Sequence, residues 1–118
     1  MLLEEFFQGY AASLLIFNEL CCILDRIGPT RMRISKSQVA FWRRRVVVRA
    51  WIPGRYLRGH PAPLVLTLAF RQKNPSLRWK EIVHPAPGWF VHHLELWTPA
   101  DLDAEVTGWL YQAWQQAG

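Results

Sequence analysis

His92 and His93 stand side by side in Val91–Leu96, a stretch that alternates along its length. Imidazoles hold metals and move protons near neutral pH. Neighbours on a strand point to opposite faces, so this pair cannot grip one ion between them. A metal site would have to recruit His60 or His84 from loop-like sequence, and no HxH, HxxxH or paired-Cys spacing supports one. His92 shares its alternation face with Phe90, Leu94 and Leu96 and is expected as a hydrogen-bonded core histidine. His93 shares the other face with Trp89, Val91, Glu95 and Trp97. It is the candidate ligand-binding imidazole; its plainer role is a cross-strand surface partner.

Arg43-Arg44-Arg45 concentrates positive charge between Trp42 and Val46, with Trp51 and Arg49 just beyond. Guanidinium groups meet phosphates and indoles stack on bases, so this grouping suits nucleic acid. A solvated turn is the plainer reading. Ser35-Lys36-Ser37 precedes it, a lysine between two hydroxyls that can meet an anion. Its plainer reading lays the Lys36 stem along a sheet edge with the ammonium in water.

No P-loop, dinucleotide fingerprint, nucleophile elbow or zinc-hydrolase motif is present, and no cofactor is expected. Asp101, Asp103 and Glu105 open a helix, where they serve its dipole. Catalysis is the least favoured class.

The segments Ser35–Arg45 and Val91–Leu96, the latter running through Leu102-Asp103 to a closing helix near Ala113, together resemble one bacterial family. It is the domain of unknown function numbered 5655, also described as a predicted transport protein. The resemblance extends from the Phe6-Phe7 helix to Ala113. It implies a fold and no established activity. It carries Lys36, Gln38 and Phe41 over as matching positions, and its pattern tolerates basic residues at the Arg run.

The bulk properties narrow the partners. The chain has 118 residues, net charge +5 and pI about 9.8, with eleven Arg against three Lys. One domain, 1–118, fits that length, and half the residues are apolar, which excludes disorder. Arg suits planar recognition of phosphate and carboxylate. Cys21-Cys22 fall in an apolar helical pattern about 100° apart and are expected as buried, reduced thiols in a cytoplasmic protein. Glu4-Glu5 directly after Met1-Leu2-Leu3 is the wrong charge for a secretory leader. The run Phe6 to Asn18 is too short to span a bilayer, so no membrane partner is expected and "transport" does not read as a channel.

The elements that must position these residues are legible from period. Leu3, Phe7, Tyr10, Leu14, Phe17, Cys21 and Leu24 form one helical stripe over about residues 3–26, ended by Gly28-Pro29. From Met32 to Trp97 the period shortens. Val39–Trp42 and Val46–Ile52 flank the Arg run as a hairpin. Residues 53–61 read as an exposed loop, Leu64–Phe70, Trp79–Val83 and Trp89–Trp97 as strands, and Pro85–Gly88 as a turn. Thr98-Pro99-Ala100-Asp101 starts a helix to about Gln116. Helix, antiparallel meander of about five strands, helix gives an α+β two-layer sandwich with both helices on one face.

The helices should cover Val46, Val48, Ala50 and Ile52, leaving Val47, Arg49 and Trp51 with the His93 set on an open face. Trp51, Trp89 and Trp97 on that face would form an interaction patch; loops or the first helix covering them is the competing reading. The expected function is a small non-catalytic binding module. Its ligand, an anionic small molecule or nucleic acid, would use Ser35, Lys36, Ser37, Gln38, Arg43, Arg44, Arg49 and His93. The alternative is a homodimer through Trp51, Trp89 and Trp97.

Overall fold

The computed structural model describes residues 1–118. In chain order it contains α1 (Leu3–Phe6), α2 (Ala11–Ile27), β1 (Arg31–Ile34), β2 (Val39–Trp42), β3 (Val46–Trp51), β4 (Leu64–Phe70), β5 (Glu81–Ala86), β6 (Trp89–Leu96) and α3 (Ala104–Gln116). The six strands form one antiparallel sheet in the order β1-β2-β3-β4-β6-β5. The fold is α+β, with the helices on one face of the sheet.

One core joins the layers. Phe17, Leu20 and Leu24 of α2 and Val106, Trp109 and Leu110 of α3 meet Val48, Ala50, Leu64, Leu66, Leu68, Leu94 and Leu96 from the sheet. These strand residues sit two apart and are buried, which fixes the register, since a one-residue slip would turn every one outward.

The structure corrects several of the expected boundaries and burials. The N-terminal helix is not continuous: Gly9 adopts φ +82° and Tyr10 is non-helical, so α1 and α2 are separate. The apolar stripe is thereby re-phased, and Ile16, Phe17, Leu20, Ile23 and Leu24 face the core while Leu14 and Cys21 lie at its margin. Cys22 is exposed, not buried. Cys21 is half-buried, and burial, then Asp25 and Cys22, push its thiol up to about 11.

The expected sheet of about five strands has six, Arg31–Ile34 pairing with Val39–Trp42 as a further edge. It is also not a simple meander. β6 lies between β4 and β5, so the chain leaves β4 for the far edge before returning inward. Composition explains the exchange: β6 buries His92, Leu94 and Leu96, while β5 is largely exposed and contains Pro85, which cannot donate to a central ladder.

The predicted strand at Trp79–Val83 moves to Glu81–Ala86, and the turn tightens to Pro87-Gly88, where Gly88 has φ +80°. Trp79 leaves the strand to stack on Trp109 at 4.2 Å between ring centres. The last helix begins at Ala104, capped by Asp103, which accepts from the Val106 N–H at 3.1 Å. Residues Pro99–Asp101 form a separate 3-10 turn. No helix is long and apolar enough to cross a membrane.

Candidate functional site

The face without helices carries the mixed residues. Arg33 pairs with Ala40, Ala40 with Arg49, Arg49 with Thr67, Thr67 with His93, and His93 with Glu81. Directly paired residues share a face, so this row crosses the whole sheet. His92 points the other way and is fully buried, whereas His93 is half-buried on the open side. The expected division of the two histidines is therefore correct.

His92 satisfies both ring nitrogens with backbone. Its Nε2 accepts from the Asn74 N–H at 3.0 Å, and its Nδ1 lies 2.9 Å from the Phe90 carbonyl, to which it donates. Phe70 and Trp79 pack on the ring at 4.8 Å each. Burial holds its pKa below the ordinary 6.5, and the neutral ring is the one that fits both bonds.

The Arg43–Arg45 tip is not a free turn. Arg43 donates to the Trp114 carbonyl at 2.8 Å and lies 3.6 Å over the Trp114 ring. The backbone N–H groups of Arg44 and Arg45 both donate to the Ala117 carbonyl, at 2.9 and 3.0 Å. The hairpin thus caps the end of α3 with donors that its last turn lacks. Arg43 is consumed as an anchor. Arg44 and Arg45 are exposed, held in place by their backbone.

Around this anchored tip gather arginines that the sequence pattern did not single out. Arg45 and Arg71 flank the Trp89 ring at 5.2 and 3.8 Å. Arg71 is fixed through its N–H, which donates to Gln116 Oε1 at 3.1 Å. A hollow of about 430 Å³ is lined by Arg44, Arg45, Arg71, Gln116 and Gly118. A second, of about 360 Å³, shares Arg44 and adds Arg31, Arg33 and Trp42. Arg33 lies 5.4 Å from the Trp42 ring centre.

None of these arginines meets an Asp or Glu carboxylate. The ion pairs of the chain are Arg78 with Asp103 and with Glu105, both at 2.9 Å, and Lys80 with Glu95 at 3.5 Å. Arg78 ties the β4–β5 connection to the start of α3, and the Val106 N–H, then Arg78, hold the Asp103 carboxyl below its usual range. The acids expected at that helix start are thus occupied structurally.

The remaining predicted residues divide. Ser35 Oγ donates to the Gln38 carbonyl at 3.1 Å and accepts from the Ser37 and Gln38 N–H groups, so Ser35, Ser37 and Gln38 build the β1–β2 turn. The Lys36 carbonyl accepts from Arg55, which also binds the Phe6 carbonyl and ties the supposedly free loop to α1. This turn lies at the opposite end of β2 from the Arg tip, about 13 Å away by strand rise, so the two halves of the segment do not converge.

The three tryptophans also do not form one patch. Trp89 and Trp97 lie at opposite ends of β6, roughly 26 Å apart by strand rise. Trp89 is covered by guanidinium groups. Trp97, 51% exposed, lines a separate cleft with Tyr10, Ser13 and His60. Trp51 donates through Nε1 to Thr67 Oγ1 at 3.3 Å, and that hydroxyl lies 3.0 Å from His93 Nδ1.

Thr67 was readable from the alternation Val65, Thr67, Ala69 against Leu64, Leu66, Leu68. Arg31 and Arg33 alternate with Met32 and Ile34 over four residues, a weak strand signal. Arg71 had none, because it reaches the tip only through sheet order.

Residues 3–117 match the family described as Domain of unknown function (DUF5655). No curated protein and no solved structure matches the chain.

Proposed function

The chain belongs to the DUF5655 family, and we propose that within it this domain is a non-catalytic module that binds single-stranded nucleic acid through the arginine-rich side of its open sheet face. The observation that carries the reading is the arc of Arg31, Arg33, Arg44, Arg45 and Arg71, which converges from three strand ends without any Asp or Glu partner. Charges left uncompensated by the fold repel one another, and a polyanion relieves that repulsion while releasing its own counterions. Arg45 and Arg71 are held against Trp89. Their planar donors are thereby pre-arranged, which lowers the ordering cost of binding.

Anisotropy of a labelled single-stranded thymidine oligonucleotide at low salt tests the proposal. Binding is expected, and its absence would end it. The homodimer alternative has less support, since the three tryptophans it needs are spread over separate sites. Sedimentation of the free protein separates the two: the proposal expects a monomer, whereas the alternative needs a dimer.

A further inference from the structure

About 20 Å along β4 from Arg71 by strand rise, the open face holds a small cavity of about 230 Å³ lined by Trp51, Leu57, Val65, Lys80, Glu81 and His93. Its register is fixed by two neighbouring cross-strand rows, Arg49–Thr67–His93–Glu81 and Trp51–Val65–Glu95. Trp51, Leu57 and Val65 make an apolar wall. Lys80, Glu81 and His93 make a polar one.

The polar wall has a defined donor pattern. Thr67 Oγ1 accepts the Trp51 indole N–H, so its own proton is free to go to His93 Nδ1. With that proton bonded to Nδ1, the neutral His93 ring carries its hydrogen on Nε2. Burial, opposed by Glu81, lowers the His93 pKa from 6.5, which keeps the ring neutral at pH 7. Lys80 pairs with Glu95, and Glu81 has no ion-pair partner. The cavity therefore offers an indole and aliphatic wall, two N–H donors and one two-oxygen acceptor.

We propose that this cavity reads guanine in the bound single strand. The inference rests on the nucleic-acid reading above. A base supplies a flat apolar face for the Trp51 wall. Guanine alone presents two adjacent donors, N1–H and the N2 amino group, for one carboxylate, beside an O6 acceptor for His93 or Lys80. Adenine would set its N1 acceptor against Glu81, and thymine would set its carbonyls there. The cavity is smaller than the roughly 300–1,000 Å³ of whole-ligand sites, so it holds a base and leaves the sugar and phosphate outside. Arg49 stands in the same row two strands away, about 9.6 Å, on the side of the arginine arc.

The test compares short thymidine oligonucleotides carrying one central guanine, adenine, cytosine, hypoxanthine or thymine at fixed salt. Guanine is expected to tighten binding roughly tenfold over thymine. Hypoxanthine, which lacks the N2 amino group, should lose most of that gain. Glu81→Gln, at an exposed edge position, should abolish the preference and leave the salt dependence unchanged. Equal affinity for all five oligonucleotides with a steep salt dependence would overturn the guanine pocket and leave the arginine surface standing. No binding of any oligonucleotide would overturn both.

Discussion

Arg43 reaches from the β2–β3 hairpin to α3, where its guanidinium sits 3.6 Å over the Trp114 ring and donates to the Trp114 carbonyl at 2.8 Å. A hydrogen bond from a charged group contributes about 1.5–3 kcal/mol and a partly buried cation–π contact about 1 kcal/mol. Arg43 and its neighbour Arg44 thus have the same chemistry and different work. Arg43→Ala should cost about 2 kcal/mol, or roughly 8 °C in melting temperature for a chain of this length. Arg44→Ala should change the melting temperature by little and weaken oligonucleotide binding. Thermal melts of the two variants check this; equal melting temperatures would show that Arg43 is no anchor.

Trp114 is pinned on a second side. Its Nε1 donates to the Pro29 carbonyl at 3.2 Å, and a Cβ added to Gly28 would collide with its ring. Gly28 has φ 161°, extended backbone open to any residue, so its requirement here is space alone. Gly28→Ala should destabilise by about 1–3 kcal/mol through overpacking, against the small gain that Gly→Ala brings where room exists. In a Trp114→Leu background, which already gives up the Arg43 and Pro29 contacts, Gly28→Ala should cost less. Denaturant titration of the single and double variants measures the coupling, and additive losses would contradict the contact.

Acid should weaken the fold through its histidines. His92 and His93 both have folded pKa values lowered from 6.5, chiefly by burial. In the unfolded chain they protonate near 6.5, so below that pH the unfolded state binds more protons. Stability is therefore full above about pH 6.5 and falls as pH drops, by up to about 1.4 kcal/mol per pH unit for each group. His92→Leu should flatten the slope just below pH 6.5. Urea midpoints between pH 5 and 8 give the profile, and an unchanged slope in the variant would contradict the assignment.

Alternation carried most of what the sequence reveals here. Val48 and Ala50 against Arg49 and Trp51, and His92 against His93, are set by the strand period, and the structure sorts them that way, but at the start of β3 the bulge opposite Phe41-Trp42 breaks the alternation: Val47, expected on the open face, is buried in the core, and Val46 is only half-buried. The β2–β3 hairpin and the two-layer arrangement follow from the same signal. Long-range order was illegible: nothing local tells that β6 displaces β5 from the sheet interior, or that Arg71 will meet Arg45 across Trp89. Gly9 was overlooked because the apolar residues on either side nearly keep phase across it. Arg43 read like Arg44 because the Trp114 that consumes it lies 71 residues away.

The arginine arc is tested most directly by the salt dependence of oligonucleotide binding, compared between the parent and an Arg44→Ala, Arg45→Ala, Arg71→Ala variant. These exposed side chains leave the backbone anchors of the tip in place. Each phosphate contact on a single strand contributes about −0.7 to the slope of log affinity against log salt. The parent slope should be steep, and the triple variant should flatten it by about 2 while still melting as a folded domain. A slope that stays the same in the triple variant, or no binding by the parent at low salt, would contradict the account.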